Sequence, residues 1–296
     1  MAVSLRGVGV ALVTPFDENG KIDYISLEKL LKHVGDGGVD YLVVMGTTAE
    51  SVTLSFEEKV AVLSFVKSHN PKKLPIVYGL GGNNTISVCN EIKNTDLSGV
   101  TAILSVCPYY NKPSQEGLYQ HFSMIAETSP IPIILYNVPG RTSLNIAAST
   151  VQRLSLNPNI IGIKEASNDT EQIMNIISGT EKDFLLISGD DLFTLPMLSL
   201  EAAGVISVLA NAIPEVFKDM INHYNRNNTK EAKNEALRFL KLNPLMYRES
   251  NPVGIKHLLE EMNVCKNHVR LPLVSASKEL QSDIRREYDN FIKLRN

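Results

Sequence analysis

Short runs of aliphatic and β-branched residues alternate with segments of helical period along most of this chain, and this alternation constrains the fold more than any other feature. The predicted strands are residues 7–16, 41–45, 74–78, 102–106, 131–136, 160–164, 184–188 and 205–209. Helical patterns between them include residues 26–37, which open on Ser26 as a cap, and residues 55–68, 115–128, 170–177 and 192–203. Nearly continuous apolar strands separated by helices predict a parallel sheet covered on its faces.

Eight such units within about 225 residues fit a closed (β/α)8 barrel better than a doubly wound sheet, which usually needs fewer strands and a point where the strand order reverses. We therefore predict an α/β fold, a (β/α)8 TIM barrel, over residues 1–225. After Pro214 the sequence contains only helical patterns, at residues 215–225, 230–242, 252–262 and 277–294. The first of these closes the eighth unit. The other three predict a C-terminal helical segment, residues 226–296, packed on the barrel.

Composition and charge exclude several classes of partner. The 296 residues are 44% hydrophobic and 21% charged, with a net charge of −3, as in an ordinary globular protein with a sizeable core. A faintly acidic chain without a basic run is not expected to bind nucleic acid. Residues 1–7 lack a basic stretch followed by an apolar one, and no run reaches the roughly 18 apolar residues of a membrane span. We expect a cytoplasmic protein with no membrane partner.

The spacing of potential metal ligands and of glycines gives no sign of a cofactor. Cysteine occurs only three times, at wide spacing, which predicts reduced and buried thiols: Cys89, Cys107 and Cys265. The histidines show neither HxH nor HExxH spacing, and Asp190-Asp191 has no other obvious ligands nearby in sequence. Residues 79–84 begin like a dinucleotide loop, but Asn84 stands at the third glycine position. We expect no metal and no cofactor.

In a barrel of this kind the chemistry takes place at the carboxyl ends of the strands. Unusual short motifs stand at those ends in this sequence: Gly46-Thr47-Thr48, Pro108-Tyr109-Tyr110, Tyr136-Asn137, Lys164-Glu165 and Ser188-Gly189-Asp190. We expect these motifs to face one another across the mouth of the barrel.

Lys164 is the most informative residue, because it closes an apolar strand and should point from the strand's end into a cleft. A lysine amine normally keeps its proton to about pH 10.4, and reactivity near pH 7 requires disfavouring the charged form by about 4–5 kcal/mol, through burial or neighbouring cations. Such a lysine can carry out covalent chemistry. The alternative is that Lys164 and Glu165 form a solvated charge pair after the strand.

Three further candidates surround this lysine in the predicted barrel. Tyr136 ends the preceding strand, so its phenol could relay protons for imine chemistry or could simply plug the top of the barrel. The turn at Thr47 and Thr48 offers backbone donors and hydroxyls that suit a small carboxylate, although a helix cap also explains it. Arg141 follows the fifth strand and could clamp a substrate carboxylate through its planar fork, or be an ordinary surface arginine.

With these residues placed, the chain resembles the dihydrodipicolinate synthase family, within the pyruvate-dependent class I aldolases that also include N-acetylneuraminate lyase. The resemblance extends nearly from end to end and is carried by six segments: residues 46–51 (GTTAES), 108–113 (PYYNKP), 135–142 (LYNVPGRT), 162–166 (GIKEA), 188–191 (SGDD) and 204–208 (GVISV). One departure is Ala49, where the family usually has glycine. This change matters only if the turn needs a positive φ.

The resemblance implies a reaction. Lys164 is expected to form a Schiff base with pyruvate, which becomes an enamine and attacks L-aspartate 4-semialdehyde. The product is 4-hydroxy-tetrahydrodipicolinate, on the diaminopimelate route to lysine. Within this scheme the family assigns a proton relay to Tyr136, Thr47 and Tyr110.

The resemblance also assigns the binding residues and an assembly. Arg141 is expected to hold the semialdehyde carboxylate and the backbone amides around Thr47 and Thr48 the pyruvate carboxylate, while Gly189 and Ile206 shape the pyruvate pocket. Tyr110 reaches over from a neighbouring subunit in the family, which implies a homotetramer built as a dimer of dimers.

Lysine-regulated relatives bind the effector at the dimer interface, through histidines near the start of the second barrel helix and a glutamate just after the third strand. The matching positions here are Phe56, Lys59 and Ser87, whereas Ser51, Asn83 and Tyr109 do match the family's pocket. We therefore expect a degenerate lysine site and weak or absent feedback inhibition.

Two alternatives to this function stay open at the level of sequence. Another pyruvate aldolase, such as a sialic acid or keto-deoxy-sugar lyase, would share Lys164 and Tyr136 but differ in the pocket for the second substrate. A non-catalytic binding protein that kept the barrel would fail to form a covalent pyruvate adduct. Arg141 and the pair Tyr109-Tyr110 favour the synthase.

Overall fold

The chain forms a closed barrel of parallel strands in the computed structural model, which describes residues 5–70 and 72–293. Within those residues eight strands follow one another around the barrel in chain order. They are β1 (Gly7–Ala11), β2 (Tyr41–Val44), β3 (Ile76–Gly79), β4 (Ala102–Val106), β5 (Ile133–Asn137), β6 (Ile160–Glu165), β7 (Leu185–Ser188) and β8 (Gly204–Ser207). The predicted (β/α)8 barrel is confirmed. The first four residues, used above in expecting a cytoplasmic protein, and residue 294, the end of the last predicted helix, lie outside the described residues.

Helices connect the strands and follow the last one. They are α1 (Tyr24–Asp36), α2 (Phe56–His69), α3 (Thr85–Asn94), α4 (Gln115–Thr128), α5 (Pro139–Thr142), α6 (Ala148–Ser155), α7 (Thr170–Ser178), α8 (Thr194–Leu198), α9 (Pro214–Asn225), α10 (Thr229–Arg238), α11 (Val253–Glu261) and α12 (Lys278–Lys293). Across the described residues, none of the helices is both long and apolar enough to cross a membrane.

Several predicted boundaries were wrong: the helix predicted over residues 230–242 ends at Arg238 and the strand predicted over 205–209 ends at Ser207. Three other differences have clear local reasons. β1 ends at Ala11 rather than residue 16, because the Val13 amide donates to the Asn211 side chain (3.1 Å) instead of extending the ladder. The cap of α1 is Asp23, whose carboxylate accepts from the Ser26 amide at 3.0 Å, so the helix begins before Ser26. The helix predicted over residues 192–203 is confined to Thr194–Leu198, since Glu201 adopts a left-handed φ of 63°.

Contacts group the chain into two compact units, the first dominated by Pro75–Ile206 and the second by Gly7–Leu74 with Ser207–Asn296. In the first unit the parallel ladder continues from β3 to β8, and Tyr136 of β5 lies opposite Lys164 of β6. In the second unit β1 pairs with β2, with Gly9 opposite Tyr41. A Cβ at Gly9 would lie 2.2 Å from the Tyr41 ring, so this pairing requires glycine. The division of the chain at residue 225 stays a prediction.

Candidate active site

Lys164 lies near the end of β6, opposite Tyr136 of β5 in the sheet register. Its Nζ is 4.3 Å from the centre of the Tyr136 ring, and only 5% of the lysine is exposed. Glu165, the next residue, is 1% exposed, so the alternative of a solvated Lys164–Glu165 charge pair is wrong. A buried amine beside a phenol can attack a carbonyl carbon and exchange protons with the neighbouring hydroxyl.

The direction of the Lys164 side chain follows from that of its neighbour. Glu165 accepts a hydrogen bond of 3.0 Å from Gln172 of α7, so it faces the helices that cover the strands. Because successive side chains of a strand point to opposite faces, Lys164 faces the interior of the barrel. This is the orientation expected for a residue that serves a site in the mouth.

Gly189 lies directly beside the Lys164 side chain. A Cβ at this position would come within 2.7 Å of the Ala166 Cβ and 3.2 Å of the Lys164 Cε, so a larger residue would displace the lysine. Ile206 is buried on the same face of the sheet, because Gly204, two residues earlier, pairs with Ile187, which lies opposite Lys164. Both residues of the expected pyruvate pocket in this unit therefore border the face that carries the lysine.

The opposite face at the ends of β5 and β6 holds a buried polar cluster. The Glu165 carboxylate accepts hydrogen bonds from the Asn137 side chain (3.0 and 2.9 Å), the Gln172 side chain (3.0 Å) and the Ser167 amide (2.7 Å). Burial raises the pKa of Glu165, and the hydrogen bonds from Asn137, Ser167 and Gln172 oppose that shift. The carboxylate is therefore costly to bury and is held by a full set of donors.

The remaining candidates of this unit lie on loops after the strands. Arg141 is exposed on the short helix α5, immediately after β5. Tyr110, on the loop that follows β4, is 93% exposed and has a left-handed φ of 68°. The amide of Tyr109 donates to the Asn83 side chain at 2.9 Å, which attaches this loop to the end of β3.

In the second unit, Thr47–Ala49 forms a single turn of 3-10 helix after β2. Two hydrogen bonds hold the turn in place. The Asn251 side chain donates to the Thr48 hydroxyl (3.0 Å), and the Thr14 hydroxyl donates to the Ala49 carbonyl (2.8 Å). The left-handed residue that ends the turn is Glu50, with a φ of 55°, and Ala49 has no positive φ. Replacement of the family's usual glycine by Ala49 therefore adds no backbone strain.

Glu50 ends this turn with a buried ion pair. Its carboxylate accepts from the Lys256 Nζ (2.5 Å) and from the Arg270 amide (2.9 Å), and Lys256 is 0% exposed. Burial lowers the pKa of Lys256, while the Glu50 carboxylate acts in the opposite direction. The Lys256 Nζ also lies 4.1 Å from the centre of the Phe16 ring. The buried ion pair between Glu50 and Lys256 thus attaches the end of the turn to α11.

Sequence reasoning missed these supporting residues. Lys256 did carry a signal, because it is a lone cation in the apolar run Val253-Gly254-Ile255-Lys256-His257-Leu258-Leu259. A charge in such a run is buried only when it is paired. The partner could not be identified, since Glu50 lies 206 residues earlier.

The six positions of the expected lysine pocket are divided between the two units. In the first unit, Asn83 and Tyr109 are joined by the hydrogen bond described above, and the Ser87 amide donates to the Asn84 side chain at 3.1 Å in the first turn of α3. In the second unit, Ser51 opens a 3-10 turn, Phe56 is the first residue of α2, and Lys59 follows within the first turn of that helix.

Cys89, Cys107 and Cys265 are buried free thiols, as predicted. Burial is the leading cause that raises the pKa of Cys265 to about 12 and raises that of Cys107 further above its usual value. The Cys107 and Cys265 thiols are therefore protonated at neutral pH and are poor nucleophiles.

A closed (β/α)8 barrel with a buried lysine against a tyrosine at the carboxyl end of its strands defines a lyase of the class I aldolase type. Comparison with known sequences gives the family. Residues 4–290 match the Dihydrodipicolinate synthetase family, and the chain belongs to it.

Relatives and solved structures agree over nearly the whole chain. A 4-hydroxy-tetrahydrodipicolinate synthase of Cytophaga hutchinsonii is 50% identical over 291 residues, covering 96% of this chain and 98% of the relative. That of Flavobacterium psychrophilum is 48% identical, covering 93% and 94%. The crystal structure of a dihydrodipicolinate synthase from Bacillus anthracis superposes with a TM-score of 0.93 at 38% identity, covering 97% and 98% of the two chains.

Proposed function

We propose that the protein condenses pyruvate with L-aspartate 4-semialdehyde to give 4-hydroxy-tetrahydrodipicolinate, in the diaminopimelate route to lysine. The observation that carries the proposal is the buried Lys164 amine, 4.3 Å from the Tyr136 ring centre at the end of a barrel strand. Membership of a family whose relatives are named for this product supports the choice of substrates.

The first half of the reaction activates pyruvate. The Lys164 amine adds to the keto carbon through its nitrogen lone pair, and loss of one water gives the Schiff base. The protonated imine withdraws electrons from the adjacent methyl group, which loses a proton and becomes the nucleophilic carbon of an enamine. Tyr136 is the group beside the amine that can accept and return these protons.

The second half forms the carbon–carbon bond and releases the enzyme. The enamine carbon attacks the aldehyde of the semialdehyde, whose oxygen takes up a proton and becomes a hydroxyl. The amino group of the same substrate then attacks the imine carbon, closes the ring and expels the Lys164 amine. Pyruvate and the semialdehyde thus give one cyclic product and one water.

The other candidate residues receive roles in this scheme. We assign Thr47 and Tyr110 to the proton relay with Tyr136, and Arg141 to the carboxylate of the semialdehyde. The backbone amides around Thr47 and Thr48 would hold the pyruvate carboxylate, since first-turn amides of a helix suit an anion. Gly189 and Ile206 would shape the pyruvate pocket, in keeping with their positions around the Lys164 face.

We further propose a cytoplasmic homotetramer, a dimer of dimers, in which Tyr110 completes the site of a neighbouring subunit. Its side chain is 93% exposed on the single chain, which suits a residue that acts on another copy. The resemblance assigns a lysine site to the positions of Ser51, Phe56, Lys59, Asn83, Ser87 and Tyr109, and we propose that this site is degenerate here.

The proposal is tested by trapping and by turnover. Reduction with borohydride in the presence of pyruvate should add one pyruvyl group to the intact protein, and peptide mapping should locate it at Lys164. Turnover should require L-aspartate 4-semialdehyde and be much slower with sugar aldehydes. An adduct at another lysine, or one that persists in Lys164→Ala, contradicts the assignment of Lys164. Faster turnover with sugar aldehydes contradicts the second substrate.

A further inference from the structure

Two pairs of residues lie side by side where β5 and β6 end. Tyr136 is opposite Lys164, and one residue later Asn137 is opposite Glu165. Since side chains alternate along a strand, the first pair faces the barrel interior and the second faces the helical layer. All four residues are buried. The chemistry of the proposed function uses the first pair and leaves the second without a role.

Glu165 and Asn137 form the centre of a hydrogen-bonded cluster. The Asn137 amide donates to both oxygens of Glu165, at 3.0 and 2.9 Å, while its own oxygen accepts from the Ile146 amide at 3.0 Å. Gln172 of α7 donates to Glu165, and Asn145 links Gln172 to Asn137. The cluster therefore connects both strand ends to α7 and to the segment that precedes α6.

The pairing of β5 with β6 is irregular, and the hydrogen-bonded cluster stabilises its register. The register of β5 and β6 shifts between Ile133 and Ile134, so the ladder is irregular near its amino end. A bulge disrupts the ladder locally, and a slip of one residue would move every later side chain to the wrong face. The bonds between Asn137 and Glu165 fix the register at the carboxyl end, one residue beyond the reactive pair.

We propose that Glu165, acting through Asn137, is a positioning residue that holds Tyr136 in register with Lys164. This inference rests on the proposed Schiff-base function. The glutamate touches neither substrate nor the lysine amine, and it acts on the rate of imine formation through the relative placement of two strands.

The first test replaces Glu165→Gln, which keeps the volume and removes the charge. The new side chain has one acceptor oxygen where Glu165 has two, and its NH2 group would face donors of Asn137, Gln172 or Ser167. Hydrogen bonds of the cluster are therefore lost. Because a misplacement of about 1 Å costs on the order of 100-fold in rate, we expect imine formation, followed by quenched flow and borohydride trapping, to slow by roughly 10- to 100-fold. The rate of imine formation is measured at a temperature at which circular dichroism shows that the variant is folded.

A second substitution distinguishes positioning from general loss of stability. In Asn137→Asp combined with Glu165→Gln, donor and acceptor change places, because the new carboxylate can accept from the new amide and still accept from the Ile146 amide. We expect the double variant to regain about tenfold in imine formation over Glu165→Gln alone. Asn137→Asp alone places two carboxylates together and should remain slow.

The matched control, Asn159, immediately precedes the amino end of the same strand, β6. The side chain of Asn159 donates to the carbonyls of Ala126 (2.8 Å) and Ser129 (3.0 Å), far along β6 from Lys164. Asn159→Asp should lower the melting temperature and leave the rate of imine formation unchanged. An equal slowing in this control, or a wild-type rate in folded Glu165→Gln, overturns the positioning role.

The outcomes separate the two proposals. If the wild-type protein forms no trappable pyruvate adduct, the proposed function fails. If it forms the adduct and Glu165→Gln does so equally fast, only the positioning inference fails. Should Glu165→Gln not fold, Gln172→Met removes one donor at similar volume, and a rate of imine formation that is not at least about threefold lower overturns the inference.

Discussion

Lys256 and Glu50 form an ion pair that is closed off from solvent, with 2.5 Å between the Nζ and Oε1 atoms and side chains 0% and 1% exposed. The pair joins α11 to the residue that ends the Thr47–Ala49 turn. A buried pair contributes little net stability, but removing one partner leaves the other uncompensated.

Lys256→Met should therefore lower the free energy of unfolding by about 3–5 kcal/mol, because the Glu50 carboxylate would stay buried without its cation. Urea denaturation measures this change. The double variant Lys256→Met/Glu50→Gln removes both charges and should recover a large part of the loss. Equal instability of the single and double variants would contradict this account of the pair.

Gly189→Ala should slow the reaction of Lys164 with pyruvate by tenfold or more. A displacement of a catalytic group by up to about 1 Å lowers a rate by this order of magnitude. The added methyl would meet the Ala166 Cβ at 2.7 Å and the Lys164 Cε at 3.2 Å. Borohydride trapping over time gives the rate. Gly82→Ala is the control, since its Cβ would meet the Val88 side chain at an ordinary 3.5 Å.

Glu58 should make the protein sensitive to acid. Its two oxygens accept from Arg270 at 2.7 and 2.6 Å, and these bonds lower the pKa of Glu58 to about 2. A lowered folded-state pKa gives stability that is present above the unfolded value and is lost as the pH falls towards 2. With the pair partly exposed, we expect about 1–2 kcal/mol. The difference in unfolding free energy between wild type and Glu58→Gln should shrink between pH 5 and pH 2.5, and a constant difference would contradict this expectation.

L-lysine should inhibit weakly or not at all. Ser87 lacks the carboxylate that would pair with the effector's ammonium, and Lys59 adds a like charge at another pocket position, so a loss of about 2–5 kcal/mol in binding is expected, or roughly thirtyfold or more. Titration to millimolar lysine at saturating substrates should leave the rate nearly unchanged. Ser87→Glu should increase sensitivity. Half-inhibition of the wild type below about 1 mM lysine would contradict the expected loss of the lysine site.

Tyr110 should act in a neighbouring subunit. Tyr110→Phe and Lys164→Ala are each expected to be nearly inactive. Mixed dimers should combine both lesions in one site and leave the other site intact. Mixing the two inactive proteins under conditions of subunit exchange should therefore restore activity. No recovery despite exchange, or full activity in a monomer, would contradict a role in trans.

Elements whose cause is local could be predicted, and contacts between distant segments could not. The strand at Ala102–Val106 and the helix at Gln115–Thr128 have the predicted bounds, because side-chain pattern and turn residues agree there. The proximity of Tyr136 and Lys164 also followed, since consecutive strands are neighbours in a barrel. The partners of Glu165 were missed, because they depend on how α7 packs on the end of β6.

The anchors of the Thr47–Ala49 turn have a consequence for anyone who shortens or recombines this barrel. Asn251, Lys256 and Arg270 all follow residue 225, and they hold Thr48 and Glu50 through side-chain or backbone donors. A chain cut after the eighth strand–helix unit would keep every strand and lose all three supports together. Transfer of the Thr47–Ala49 turn to another barrel with its supports intact therefore requires residues from the last 71 positions, 226 to 296, as well as the strands.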